Sequence, residues 1–334
     1  MEEFDLGTSG LRAAPIGFGC AALLGRSGRS ESLRALAAAW DEGIRFFDTA
    51  RAYGYGESEA LLGEFLRGRR NQAVIATKFG ILPARQPAWK QAAKAVARKV
   101  LAVAPSSLAM LRKGAGTQFK QNQFTIPVLK ESIETSLRKL GTEYVDVLLL
   151  HAAPLTVLAQ EDLLDAMGRL IEEGKVRIAG LSAEPDVVAV ALERKVAPLR
   201  AMQFPCNVFS LAGVIEFRQN AGVDSILIAN HPFGGVARVQ RCRDTLHALS
   251  GTQELDVALR EKLCRLDDST LADIVLNVIL RGTGIHIVVP AMMRAEHIQA
   301  NVRAVEQSRF SSEEIQQIRE TLLSATRDRH RPVT

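Results

Sequence analysis

Short β-forming runs alternate with amphipathic segments almost from end to end of the 334 residues, and this alternation limits the folds open to the chain. The extended runs are Pro15 to Cys20, Ile44 to Asp48, Ala73 to Lys78, Tyr144 to His151, Val176 to Ser182, Arg200 to Cys206, Asp224 to Ala229 and Ile285 to Val289. Between them, Ser32 to Glu42, Glu57 to Arg67, Pro127 to Leu140, Glu161 to Glu173 and Thr270 to Arg281 place apolar residues three and four apart, the period of a helix. Asp41-Glu42-Gly43 and Glu172-Glu173-Gly174 end two of these helices with glycine and lead directly into the next strand. Strands separated by helices pair in parallel, and eight such units are the count of a (β/α)8 TIM barrel. No Pro/Gly/Ser linker divides the chain, so one domain over residues 1–334 is expected.

One segment breaks the pattern. Residues 81–125 separate the third strand from its helix by about 45 residues, where two to six are usual. This insertion after the third strand carries Arg85, Lys90, Lys94, Arg98, Lys99, Arg112, Lys113 and Lys120, and no acidic residue. Subtracting those eight from the formal +5 of the chain leaves −3 for the rest, so the basic character belongs to the insertion and not to the body. Few aromatics accompany it, which argues against a nucleic-acid surface. It leaves the C-terminal face of the barrel, where active sites form, and is read as a partly disordered lid. Within it, Trp89 to Val103 is expected to form a basic helix with Ala92, Val96, Val100 and Val103 on one side.

Other classes are set aside on simple grounds. Met1 to Gly7 carries Glu2, Glu3 and Asp5, unlike a secretory leader, and the longest apolar stretches, such as Val147 to Leu150 and Ile287 to Met293, fall well short of the roughly 20 residues a membrane helix needs. Four cysteines (Cys20, Cys206, Cys242, Cys264) without a CxxC pair are expected as buried free thiols in a cytoplasmic protein. The six histidines are dispersed, so no metal site is expected.

The densest signal lies at the end of the second strand, Phe47-Asp48-Thr49-Ala50-Arg51-Ala52-Tyr53-Gly54-Tyr55-Gly56-Glu57-Ser58-Glu59. Lys78 ends the third strand and His151 the fourth, so Asp48, Tyr53, Lys78 and His151 converge on one barrel mouth. A free tyrosine, with a pKa near about 10, is a poor proton donor and acceptor at neutral pH. An ammonium within reach would lower that value, an aspartate would keep the lysine charged, and Tyr53 would act as general acid in one direction and base in the other. A neutral His151 would donate a hydrogen bond to a carbonyl oxygen.

These motifs resemble the aldo-keto reductase family over roughly Gly7 to Arg309. They run in the family's order: Gly17-Phe18-Gly19, Asp48 through Tyr53-Gly54, Thr77-Lys78, Leu149-Leu150-His151, Gly180-Leu181-Ser182, Gln203, and Val289-Pro290 through Asn301. The resemblance implies an NAD(P)-dependent oxidoreductase that interconverts an aldehyde or ketone and an alcohol, with Asp48, Tyr53, Lys78 and His151 as catalytic tetrad. Gly17-Phe18-Gly19-Cys20-Ala21-Ala22 also fits a loose dinucleotide fingerprint, but Leu23 to Gly28 does not open a helix after it.

By the same resemblance, Ser182 and Gln203 hold the nicotinamide carboxamide, with Ala183 standing where an Asn is usual. His231, Phe233, Gly234 and Gly235 form the pyrophosphate loop, and Arg294, His297 and Asn301 serve the adenosine end. NADP is the expected cofactor and NAD a possible one, since Ala291 and Met292 replace the polar residues many relatives place after the proline. The partner is a small carbonyl or alcohol; no nucleic acid and no membrane span is expected, and no oligomeric state is assigned. Two alternatives stand beside the reductase: an aldose-type dehydrogenase working mainly in oxidation, and a cofactor-sensing regulatory protein, which only the basic insertion favours.

Overall fold

The computed structural model describes residues 1–7, 9–25, 28–83, 119–251 and 255–327. Its eight barrel strands are β1 (Phe18–Gly19), β2 (Phe46–Asp48), β3 (Val74–Phe79), β4 (Val145–His151), β5 (Val176–Ser182), β6 (Leu199–Pro205), β7 (Ile226–Asn230) and β8 (Ile287–Val289). Each pairs in parallel with its sequence neighbour, in one eight-stranded sheet. The expected first strand, Pro15 to Cys20, is reduced to two ladder residues, yet the same stretch closes the ring. Ile16 bridges in parallel to Val288, Gly17 N–H donates to the Val288 carbonyl at 2.8 Å, and Val288 N–H donates to that of Pro15 at 2.9 Å.

The crossover helices are α1 (Arg29–Asp41), α2 (Ser58–Phe65), α3 (Ile126–Leu140), α4 (Glu161–Glu172), α5 (Pro185–Glu193) and α6 (Leu211–Arg218). Between β7 and β8 come α7 (Val236–Ser250), α8 (Val257–Cys264) and α9 (Asp268–Thr283), and the chain continues with α10 (Ala295–Glu306) and α11 (Ser312–Arg327). Gly43 and Gly174, the expected helix stops, have φ of +84° and +71°, the left-handed conformation that ends a helix without a Cβ clash.

Side-chain parity then divides the core in two. Residues of one parity, among them Phe46, Val74, Ala76, Val147, Leu149, Ile178, Ala201, Ile226, Ile228 and Ile287, form a buried cluster inside the ring. Residues of the other parity, such as Phe47, Ile75, Leu148, Leu181 and Phe204, join the larger cluster under the helices. A hairpin pairing Phe4–Asp5 with Arg12–Ala13 adds Leu6, Leu11 and Ala13 to the inner cluster and lies against Asp224, just before β7, so it stoppers the N-terminal end. Because that end is filled, only the C-terminal end is free to form a site. Gly180 marks how tightly the ring closes: a Cβ there would lie 2.1 Å from the Ala201 carbonyl oxygen.

The insertion leaves and returns through an antiparallel ladder two residues long, Leu82 against Lys120 and Pro83 against Phe119. The expected Trp89 to Val103 helix and the lid as a whole lie outside the described residues. Cys20, Cys206 and Cys242 are buried free thiols; Cys264, expected to be buried, is exposed on α8. Among the described residues no helix is long and apolar enough to cross a membrane, and no three His, Cys, Asp or Glu side chains gather as a metal site would require.

Candidate active site

The inward parity that fills the barrel with Phe46, Val74, Ala76, Val147, Leu149, Ile178, Ala201 and Ile228 reaches the mouth two residues later on each strand, or four on β5, where Gly180 intervenes. There it presents Asp48, Lys78, His151, Ser182, Gln203 and Asn230 as one polar rung on an apolar floor. Tyr53 is added from the β2–α2 connection. That connection turns through Gly54, Tyr55 and Gly56 at φ +57°, +59° and +90°, with Tyr53 N–H donating to the Ala50 carbonyl at 3.0 Å. Gly54 cannot be replaced cheaply, because its φ is left-handed and a Cβ would stand 3.0 Å from the Leu23 carbonyl oxygen.

The rung is wired into a chain. Lys78, only 1% exposed, donates from Nζ to Asp48 Oδ1 at 2.6 Å, to the Thr49 carbonyl at 3.0 Å and to Tyr53 Oη at 3.4 Å, the long end of the hydrogen-bond range. Gln203 Nε2 donates to the same Asp48 Oδ1 at 2.9 Å, and Ser182 Oγ donates to Gln203 Oε1 at 2.8 Å. Behind Lys78, the Thr77 hydroxyl donates to Glu59 Oε1 at 2.7 Å, fixing the end of β3 against α2. His151 meets Tyr53 edge to face, with ring centroids 5.7 Å apart.

The electrostatics follow from burial. Burial disfavours the Lys78 ammonium, but Asp48 and then Tyr53 more than offset it, so the lysine pKa is raised and its charge held. For Tyr53 the outcome differs from the expected lowering. Burial raises its pKa, the Lys78 charge opposes that, Asp48 reinforces it, and the net direction is upward. Lysine moderates the phenol but does not outweigh desolvation, so Tyr53 rests as a protonated donor. Burial first and Lys78 second push His151 down to about 3, leaving a neutral imidazole.

Tyr53, His151, Ser182 and Asn230 line an open cavity of about 380 Å³, together with Ala183, Pro205 and His231. Of the polar atoms in it, His151 Nδ1 and Asn230 Oδ1 are buried without a hydrogen-bond partner. A second cavity, of about 420 Å³, opens between Phe233, the segment Ala291–Met292, and the starts of α9 and α10. His297 and Asn301 line it, as do Asp268 and Glu296. Arg294 is exposed and is not among its lining residues. Between the cavities runs the β7–α7 turn, where His231, Gly234 and Gly235 have φ of +52°, +64° and +90° ahead of the first turn of α7.

A ring of eight parallel strands agrees with what known proteins show. The family model described as the aldo/keto reductase family matches residues 15–322. The chain belongs to the aldo/keto reductase family. Among curated relatives, the aldo-keto reductase YhdN of Bacillus subtilis is 28% identical over 215 residues, 63% of this chain and 55% of that protein. The aldo-keto reductase str7 of Strobilurus tenacellus is 28% identical over 337 residues, 91% of this chain and 87% of that one. The matches to YhdN and to probable aldo-keto reductase 1 of Glycine max span about half the length of those proteins, 55% and 53%. An aldo-keto reductase of Bacillus halodurans, solved in its holo form, shares the fold with a TM-score of 0.70 at 22% identity, covering 96% of both chains.

The structure therefore brings Asp48, Lys78, Tyr53 and His151 together, places Ser182 and Gln203 beside them, and sets His231 on the same cavity. Phe233, His297 and Asn301 line the second cavity, while Arg294 stands apart from both. Asn230 was not singled out from the sequence. The spacing Ile226, Ile228, Asn230 was the available signal, since it puts the asparagine on the inward side of β7 at its mouth end.

Proposed function

We infer that this chain is a nicotinamide-dependent oxidoreductase that reduces an aldehyde or ketone to an alcohol, with Tyr53 as proton donor. The supporting observation is the continuous polar chain from Gln203 through Asp48 and Lys78 to Tyr53, ending at an open cavity beside a neutral His151. When bound, the reduced nicotinamide supplies a hydride to the carbonyl carbon.

Each residue has a part in that reaction. His151, neutral and with one ring N–H to give, orients the carbonyl oxygen and stabilises the negative charge that gathers there. Tyr53 transfers its hydroxyl proton to the same oxygen, so the alkoxide leaves as alcohol and a phenolate remains. Lys78 stabilises that phenolate, and its long contact to Tyr53 Oη is one that shortens as charge develops. Asp48 holds Lys78 charged and is itself held by Gln203 and, through it, Ser182. In the reverse direction the phenolate takes the alcohol proton.

The residues present fit a nicotinamide dinucleotide. The cavity beside Tyr53 has unsatisfied polar atoms at His151 and Asn230, and the β7–α7 turn offers left-handed backbone ahead of a helix start, a cradle suited to phosphate. The second cavity suits the adenosine end, with His297 and Asn301 as its polar residues. NADP by family habit and NAD by the carboxylates of Asp268 and Glu296 are both accommodated, with NADP as the working assignment. The deciding experiment is turnover of a broad panel of aldehydes and ketones with NADPH and NADH, and of the alcohols with NADP and NAD. Consumption of reduced cofactor with alcohol formed in equal amount is expected. Tight cofactor binding with no turnover in either direction would instead favour the cofactor-sensing alternative.

A further inference from the structure

Resting on the reductase reading, we propose that Asn230 holds the carboxamide of the nicotinamide ring, supplying from β7 the amide contact that Ala183 cannot make. The side-chain oxygen of Asn230 is buried without a hydrogen-bond partner, in the cavity that Tyr53, His151 and Ser182 also line. A buried acceptor in a native site calls for a donor, and here the donor must come from whatever fills the cavity.

Two observations point to the cofactor as its source. The residues expected to grip the carboxamide are already engaged with one another. Ser182 donates to Gln203 Oε1, and Gln203, fully buried, donates to Asp48. Position 183 offers only a methyl group. A primary carboxamide arriving in this cavity therefore finds in Asn230 Oδ1 a buried amide acceptor with no internal claim on it. The second observation is the division of labour around the ring. The reacting carbonyl belongs to the β2–β4 side, where Tyr53 and His151 meet edge to face, and His151 Nδ1 is the other unpartnered atom of the cavity. Asn230 stands three strands further round, on the side of the β7–α7 turn that leads to the second cavity. An asparagine amide and a nicotinamide carboxamide are complementary, each carrying N–H donors and a carbonyl acceptor.

The test compares binding, without turnover, of NADPH and NADH and of their 3-acetylpyridine analogues, in which a methyl ketone replaces the carboxamide and its N–H donors are lost. Affinities are measured by calorimetry or fluorescence on the wild-type chain, Asn230→Ala and the near-isosteric Asn230→Leu. The leucine variant keeps the test open should the alanine variant not fold. The wild type is expected to favour the carboxamide cofactors by roughly three- to tenfold, the range of one neutral hydrogen bond. The variants should bind carboxamide and acetyl forms within about twofold of each other. Retained discrimination in a folded variant would overturn the assignment. So would unchanged cofactor affinity with a raised KM for hydroxylated substrates, which would hand Asn230 to the substrate. A wild type that binds no nicotinamide cofactor would overturn the reductase reading itself, a result distinct from either.

Discussion

The two halves of the barrel mouth are built differently. On the β2–β3 side the polar groups are finished inside the protein: the Lys78 ammonium has three oxygen partners, and Asp48 accepts from both Lys78 and Gln203. Beyond the engaged Ser182–Gln203 pair, the β5–β8 side of the site is open. Ala183 carries no polar side chain, Asn230 Oδ1 has no partner, and Ala291 and Met292 line the second cavity with apolar groups. The contrast has a physical basis. Proton transfer gains from donors and charges fixed before the substrate arrives, whereas recognition of a large ligand needs groups left free to be satisfied by it.

Four measurements break or sharpen this contrast. The largest effect is expected at Tyr53→Phe, which removes only the transferable proton and should cost roughly 10²- to 10⁴-fold in kcat with cofactor affinity unchanged. Single-turnover kinetics alongside a binding titration read both quantities. Unchanged turnover would dissolve the distinction, because the finished half would then not be the catalytic one.

Next is Lys78→Met, which strips a buried carboxylate of its cation. Breaking a buried pair from one side costs about 3–5 kcal/mol, to be measured by urea unfolding. A loss below about 1 kcal/mol would show that Gln203 alone suffices to keep Asp48 in place.

The third concerns pH. His151 lies at about 3 in the fold, against an ordinary value near 6.5 in the unfolded chain. Well above pH 6.5, from about pH 7.5, the residue is neutral in both states and contributes nothing to the pH dependence. As pH falls from there towards 3, only the unfolded chain takes up this proton, so stability is lost progressively across that window. The wild type should lose about 1.4 kcal/mol per pH unit more than His151→Gln over the stretch from pH 6 to 4.5. Parallel curves would mean that His151 is protonated within the fold.

The smallest effect is expected at Arg294→Ala. By resemblance this arginine would meet the 2′-phosphate of NADP, but its side chain is exposed and does not line the second cavity, proposed for the adenosine end. An exposed contact of this kind is worth about 0.2–1 kcal/mol, so the preference for NADPH over NADH should shift by no more than about fivefold. A shift of a hundredfold would place the arginine on the phosphate and show that the open half closes around its ligand.

Much of this architecture is written in local sequence. The alternation of strand and helix periods determines eight parallel βα units, because each crossover helix must cover the sheet it returns to. Gly43 and Gly174 stop helices through backbone conformation alone. Three of the four proposed catalytic residues are legible because they occupy strand ends, and parity along β2, β3 and β4 fixes which way Asp48, Lys78 and His151 point. Other features depend on residues far apart in sequence and could not be read there. Closure through Ile16 and Val288 joins the two ends of the barrel, and the pairing of Gln203 with Asp48 crosses the mouth between positions 155 residues apart. The upward shift of Tyr53 required knowing that its burial outweighs the nearby ammonium, a balance set by packing from several strands at once. The unpartnered oxygen of Asn230 is likewise a fact about its surroundings, since a sequence names the groups a chain carries but only the tertiary structure decides which of them are left without a partner.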